Sequence, residues 1–462
     1  MWPLPVRPER SYSGEIRNFS KLFGTERNRF GSLHKLTLYY LPIAIFVAVY
    51  VLIILRNLRW FRIPVWTIMM AGAVAMIFSG AIPLGDAYAS INLNVIFFLL
   101  GMFSVVAGMD LSGLLEYLTL KLLRVAKSPQ KAFGLVLIGI SMMSAFLVND
   151  TLALMATPIM LSVAKQLRIR PGVFLITLAL GVTIGSTMTA IGNPQNLLIA
   201  LSTGIPNPML DFLYYLAPPT LAGLGVTYLI LRWYYRKEFA NSTLAQLQVN
   251  PREAIKDRKL AKLSGWAAGI VVLGFFLVGI AELFGIQGNF NLGTISLLGA
   301  TIVFLGSGRR REILRSVDWG IILFFISLFI VMQAFWESNA LQSLMIYLPV
   351  LNRSDPGLSL VTIILASAFF SQLLSNVPFV AVYIKAMQAA GFTGADVKAW
   401  MALAGASTLA GGISLLGAAS NVIVLEEAES RGSGFGFVEF SKIGLLVTIP
   451  NLLILYLFLR VL

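Results

Sequence analysis

KAFGLVLIGISMMSAFLVNDTLALMATPIMLSVA, residues 131–164, decides how this chain folds. The stretch is predominantly apolar and is interrupted once, at Asn149-Asp150-Thr151. As one helix rising 1.5 Å per residue it would run to roughly 50 Å. A bilayer core is only about 30 Å thick. The stretch therefore reads as a re-entrant hairpin, entering and leaving on one side, with the polar triplet at its tip. A second block of this kind spans 357–390 and is interrupted at Ser375-Asn376-Val377-Pro378. Two further blocks, 172–204 and 398–425, are broken at Gly192-Asn193-Pro194-Gln195-Asn196 and at Gly417-Ala418-Ala419-Ser420-Asn421.

The surrounding composition agrees with a membrane setting. Of 462 residues, 57% are hydrophobic and 12% charged, against about 25% charged in an ordinary soluble domain. The apolar blocks are continuous rather than alternating, which predicts a polytopic α-helical protein and not a β-barrel. There is no cysteine and a single histidine, His34, so thiolate or zinc sites and histidine acid–base chemistry have almost no material. No phosphate-binding G-x-x-x-x-G-K-[ST] loop is present, which leaves ATP-driven work without its motif. The net charge of +14 reads as basic residues retaining cytoplasmic loops, not as nucleic-acid binding.

Working outward, residues 1–37 form a polar, basic N-terminal segment without the pattern of a cleavable signal. Spans follow at 38–55, 63–83 and 93–109, then an amphipathic stretch from Leu111 to Lys127 suited to the interface, the first hairpin, the broken block and a span at 209–231. A basic linker, 232–263, precedes a second copy of the pattern over 264–462. Ser144 to Asn149 align with Ser371 to Asn376, Gly192 with Gly417, and Asn196 with Asn421, at a shift of about 225 to 227. The fold expected is two repeats, 38–231 and 264–462, each with five crossings, one of them a broken helix, plus one re-entrant hairpin. An odd number of crossings makes the second repeat inverted relative to the first. Loops on one side then carry 23 Lys and Arg, whereas the other side holds Arg353 with Lys398 at a border. That asymmetry places the basic loops in the cytoplasm of a multi-pass inner (plasma) membrane protein. The basic N-terminal segment is the one exception.

Polar, helix-breaking patches at membrane depth survive only where protein or a watery cavity surrounds them. Four of them in equivalent places predict one shared site for a small ion or polar solute. Its candidate residues are Asn149, Asp150, Thr151, Asn193, Gln195, Asn196, Ser375, Asn376, Ser420 and Asn421. Asp150 is the only carboxylate in the four patches and faces Val377 in the repeat alignment. It suits a group that binds and releases H⁺ or Na⁺, and no other cofactor or metal is expected. Each amide or hydroxyl taken alone would more often be glue between helices; clustering at breaks shifts the balance toward a site. Lys385 reads as a snorkelling residue. Asp110, Glu116, Glu282, Asp318 and Glu337 read as anchors at span ends, and Gly181 and Gly185 as close helix packing. A secondary transporter fits these features. A channel is the second class, and an intramembrane enzyme lacks a second carboxylate or histidine partner at the breaks.

The segments LVNDTLALMATP (147–158), IGNPQNLLI (191–199), SNVPFVAV (375–382) and LGAASNVIV (416–424) resemble the ion transporter superfamily, closest to its arsenite-exporter and P-protein (citrate transporter-like) group. The resemblance covers about residues 38–462. It implies a scaffold domain, a hairpin-bearing transport domain, an elevator-like shift and a homodimer in the bilayer. Sodium-coupled carboxylate carriers of the superfamily carry Ser-Asn-Thr at both tips, and this chain departs from that. The expectation is therefore proton-coupled efflux of a small oxyacid of arsenite or antimonite type. A Na⁺/H⁺ antiporter or a Na⁺-coupled carboxylate or anion symporter is the alternative.

Overall fold

The computed structural model describes residues 40–53, 55, 63–126, 128–240, 251–286, 290–338 and 353–462. The expected N-terminal segment lies outside the described residues, as does most of the stretch 336–349. The first half contains α1 (Tyr40–Ile53), α2 (Val65–Phe78), α3 (Leu84–Ala89), α4 (Leu93–Leu111), α5 (Leu114–Arg124), α6 (Pro129–Phe146), α7 (Asn149–Leu167), α8 (Pro171–Gly185), α9 (Pro194–Ser202) and α10 (Pro208–Tyr234). The short α11 (Arg236–Ala240) leads to the second half: α12 (Arg258–Leu283), α13 (Leu292–Gly306), α14 (Arg310–Arg315), α15 (Trp319–Glu337), α16 (Pro356–Leu374), α17 (Asn376–Ala389), α18 (Val397–Ala410), α19 (Ala419–Ser430) and α20 (Phe437–Val461). Among the described residues there is no strand, and eight helical segments are long and apolar enough to cross a membrane.

The halves pack on each other reciprocally. α4 lies against α13, and α2 against α15. α6 packs on α8 as α16 does on α18, α7 on α19 as α17 does on α9, and α10 pairs with α20. Each of these pairings has its counterpart when the halves are exchanged. The same pairings sort the helices into two sets. One is α2, α4, α12, α13 and α15; the other is α6 to α10 with α16 to α20. At the centre of the second set, α8 is buried from Gly172 to Gly185 and α18 from Ala399 to Ala410. Both have apolar or small residues on every face, the composition of a helix with no wet side. Small residues allow this closeness: a Cβ on Gly185 would run into the Ser141 backbone, as one on Gly101 would into Ser296.

Three expectations are corrected. The first hairpin does not turn at Asn149-Asp150-Thr151. Leu147 and Val148 are extended, and Asn149 already begins α7, because a polar residue with an acid behind it is a better helix start than a helix interior. The segment 232–263 is not wholly a tether: α10 runs to Tyr234, and α12 begins at Arg258 with Asp257 accepting from the Leu260 amide at 3.0 Å. Lys385 is half-buried with its Nζ 5.4 Å from the centre of the Trp336 ring, so it is held by an aromatic face. The amphipathic stretch forms α5, as its periodicity predicts.

Candidate functional site

The broken blocks owe their geometry to local chemistry. After α8 the chain makes one tight turn (Ser186–Met188), is extended at Thr189, turns again at Ala190 and Ile191 and restarts at Pro194. Asn193 caps the new helix, its Oδ1 accepting from the Asn196 amide at 2.8 Å. Proline follows at the first helical position, where no amide partner is needed. Asn196 then reaches back: its Nδ2 donates to the carbonyls of Ser186 (3.1 Å) and Thr189 (3.0 Å). In the second half Asn421 Nδ2 donates to Gly411 (2.7 Å) and Ser414 (3.2 Å). Each of these residues sits 225 positions after its counterpart. One asparagine per repeat thus satisfies the carbonyls that each broken helix frees, in a place where water is scarce.

The repeats also exchange bonds. Thr408 Oγ1 donates to Asn196 Oδ1 at 3.1 Å, and Thr183 Oγ1 donates to Asn421 Oδ1 at 3.5 Å. Thr183 and Thr408 are themselves 225 apart. Asn193 Nδ2 and Gln195 Nε2 both reach Thr408 Oγ1, at 3.2 and 3.4 Å. Neither threonine was among the expected site residues. Threonine inside an apolar helix is unremarkable by itself, and only the repeat offset applied outside the breaks would have singled the pair out.

The hairpin tips differ. Asn376, with its amide nitrogen turned inward, donates to the carbonyls of Gly417 (2.9 Å) and Ser407 (3.0 Å), tying the second tip to the second broken helix. Asn149 is buried and its Oδ1 has no partner. The second tip is a single residue, Ser375, at φ 66° and ψ 158°. That region is normally reserved for glycine and costs a residue with a Cβ about 1–3 kcal/mol. Ser375→Gly is therefore expected to raise the stability of the solubilised protein by about 1 kcal/mol, read as a higher melting temperature; a lower one would show that the serine hydroxyl holds the tip.

All four breaks meet at one cavity of about 1120 Å³. Asp150 reaches it from the first tip and Ser375 from the second, Pro194 from the first broken helix and Ala419 from the second. Each marks the start of a helix: α7, α17, α9 and α19. First-turn amides have no backbone partner within their helix and carry partial positive charge, although in α9 Pro194 has no amide and that of Asn196 is taken by Asn193. The opposite ends are spoken for. Carbonyls of Ser186, Thr189, Gly411 and Ser414 are taken by the two asparagines, Ala145 by the Thr189 hydroxyl, and Ala410 by Gln372. The cavity is thus lined by donor ends of helices while the freed acceptor ends are satisfied behind its walls.

Of the ten expected site residues, Asp150 and Ser375 line the cavity. Asn149, Asn193, Gln195, Asn196, Asn376, Ser420 and Asn421 are buried, and Thr151 is half-buried one position beyond Asp150. Asp150 has no hydrogen-bond or ion-pair partner among the described residues, and its charged neighbour is another carboxylate, Asp318. Asp318 caps α15 as an anchor would, but it also lines the cavity with Glu426 and Glu429. Among the described residues no lysine or arginine lines it. No group of three metal-ligating side chains occurs among the described residues.

Comparison with known proteins places this architecture. The citrate transporter family profile matches residues 50–405. A 46 kDa membrane protein of Mycobacterium leprae is 30% identical over 381 residues, 80% of this chain and 87% of that protein. The silicon efflux transporter LSI3 of Oryza sativa subsp. japonica is 26% identical over 412 residues, 78% and 84% of the two chains. The P protein of Mus musculus is 25% identical over 484 residues, 87% of this chain and 58% of that longer one. The fold is shared with the YdaH transporter of Alcanivorax borkumensis at a TM-score of 0.54 and 16% identity, over 85% of this chain and 86% of that one. The chain belongs to the citrate transporter family and is a multi-pass membrane transporter.

Proposed function

We propose that the cavity is the translocation site of a proton-coupled secondary transporter exporting a small oxyacid of arsenite, antimonite or silicic acid type. The observation that carries this reading is the convergence of four helix starts on a cavity lined by carboxylates and, among the described residues, by no basic side chain. Amide donors favour oxygen ligands. The four carboxylates Asp150, Asp318, Glu426 and Glu429 disfavour a substrate with several negative charges. A neutral hydroxide such as arsenous or silicic acid satisfies both conditions. The silicon efflux relative supports the class. Asp150, unpaired at the first tip, is the proton carrier; Asn149, Thr151, Ser375, Asn376 and Ser420 complete the substrate site, and Asn193, Gln195, Asn196 and Asn421 hold its broken helices open.

In this reading the halves are inverted repeats, and the hairpin-bearing helices move against the set built from α2, α4, α13 and α15. The Tyr50 hydroxyl, on α1, donates to the Pro378 carbonyl just past the second tip at 3.3 Å; that bond belongs to one end of the stroke. The cavity runs from the breaks toward Ile63, Pro64 and Ser430, neighbours of the basic loops, so the state is open to the cytoplasm. Citrate or another carboxylate, the substrate class of the family's description, is the second reading, favoured by the same helix starts and opposed by the acidic lining. Inside-out vesicles separate the two: with an inward proton-releasing gradient, uptake of silicic acid or arsenite exceeding that of citrate supports the proposal, whereas Na⁺-dependent citrate uptake alone overturns it.

A further inference from the structure

A second cavity lies far from the breaks, between α5 and the start of α12, with a volume of about 740 Å³. We propose that it binds an anionic phospholipid of the cytoplasmic leaflet. Arg258 and Lys262 project from one face of α12, one turn apart, and Arg252 joins them from the turn Pro251–Ala254. The same face continues through Gly265 and Trp266 to Gly269. From Arg258 to Gly269 is a rise of about 16 Å, the distance from headgroup depth into the acyl region. The groove therefore changes from basic to apolar along the direction a lipid would lie.

Its floor is open where a chain would pass. A Cβ at Gly269 would meet nothing within 4 Å, and one at Gly265 would meet only Leu114 Cδ2, at 3.2 Å. Trp266 is 72% exposed beside it, in the position of an interfacial aromatic. On the other wall, Tyr117 carries Lys121 over its ring, Nζ 5.8 Å from the centroid. The basic turn is fixed in place: the amides of Lys256 and Asp257 both donate to the Ser112 carbonyl, at 3.0 and 3.4 Å, and Gly113, at φ 77°, lets α5 start directly against Ala254. Among the described residues no carboxylate lines the groove, and Arg252, Arg258 and Lys262 make its headgroup end basic, which favours net negative charge over a zwitterion. Basic pockets at the cytoplasmic ends of membrane helices recognise anionic headgroups in this way.

The test uses the full chain in nanodiscs of phosphatidylcholine, titrated with phosphatidylglycerol and followed by native mass spectrometry and melting temperature. Saturable phosphatidylglycerol binding is expected, with R258Q/K262Q weakening it by about 20- to 30-fold, roughly fivefold per charge. Equal retention of phosphatidylcholine and phosphatidylglycerol, or unchanged binding by the double variant, would overturn the proposal. Inorganic phosphate at millimolar concentration should not displace the lipid; if it does, the site is a phosphate site and the acyl slot is wrong. Gly269→Leu keeps every charge and fills the slot, and it should weaken the same lipid without lowering the melting temperature in phosphatidylcholine alone. Binding by Gly269→Leu equal to wild type also overturns the acyl slot.

Discussion

Asp150→Asn is expected to uncouple transport from the proton gradient. With a pH step of two units across the vesicle, one coupled proton sustains an accumulation ratio of about 100-fold, since each unit is worth about 1.36 kcal/mol. The variant should fall to a ratio of about one while still exchanging labelled for unlabelled substrate. Asp150 is at the start of α7, lines the cavity and has no cationic partner among the described residues, where the charge that acts on it is Asp318. A carboxylate so placed has no structural pair to lose, so asparagine should preserve the fold and remove only the titration. Proton-driven accumulation equal to wild type would assign coupling elsewhere, with Asp318, Glu426 and Glu429 as the remaining carboxylates of the cavity.

Asn196→Ala and Asn421→Ala form the second prediction. Each asparagine satisfies at least two buried or partly buried carbonyls with one amide nitrogen. Removing it strands both acceptors, at about 1–3 kcal/mol apiece, so each variant should lose about 2–6 kcal/mol. Against a net stability of order 10 kcal/mol that is severe, and both variants should show much lower melting temperatures together with loss of transport. Thr408→Val removes the bond donated to Asn196 Oδ1 and those accepted from Asn193 Nδ2 and Gln195 Nε2, and at about 1 kcal/mol each should cost about 1–3 kcal/mol. Near-equal effects at 196 and 421 are required by the repeat. A benign Asn421→Ala beside a ruinous Asn196→Ala would show that the two breaks are held by different means.

Much of this was legible in the residues. The spans followed from hydropathy, and the breaks from polar residues where a bilayer penalises them. The offset of 225 joined Gly192 to Gly417 and Asn196 to Asn421, whose bonds turn out to be equivalent. Other features were hidden for physical reasons. The turn of the first hairpin fell at Leu147 and Val148 because an extended apolar residue looks like any other in sequence. The left-handed backbone of Ser375 is invisible, since nothing but glycine advertises it. The asparagines look like ligands, yet Asn196 and Asn421 spend their amides on backbone carbonyls, a distinction only distances can make. Asp318 reads as a span end, nothing in the sequence singles out Glu426 or Glu429, and the place of all three on the cavity depends on how the halves pack.

The absence of cysteine from the chain makes the most direct measurement straightforward. Val377→Cys and Ala419→Cys place one thiol at the second hairpin tip and one at the second broken helix, both on the cavity. Each is labelled in oriented vesicles with a membrane-impermeant maleimide, with and without whichever of arsenite, silicic acid and citrate the vesicles accumulate. If the breaks enclose one translocation site, both thiols react from the cytoplasmic side and both are slowed in parallel by the transported solute. Reaction rates indifferent to that solute, or slowed at one position alone, would contradict a shared site.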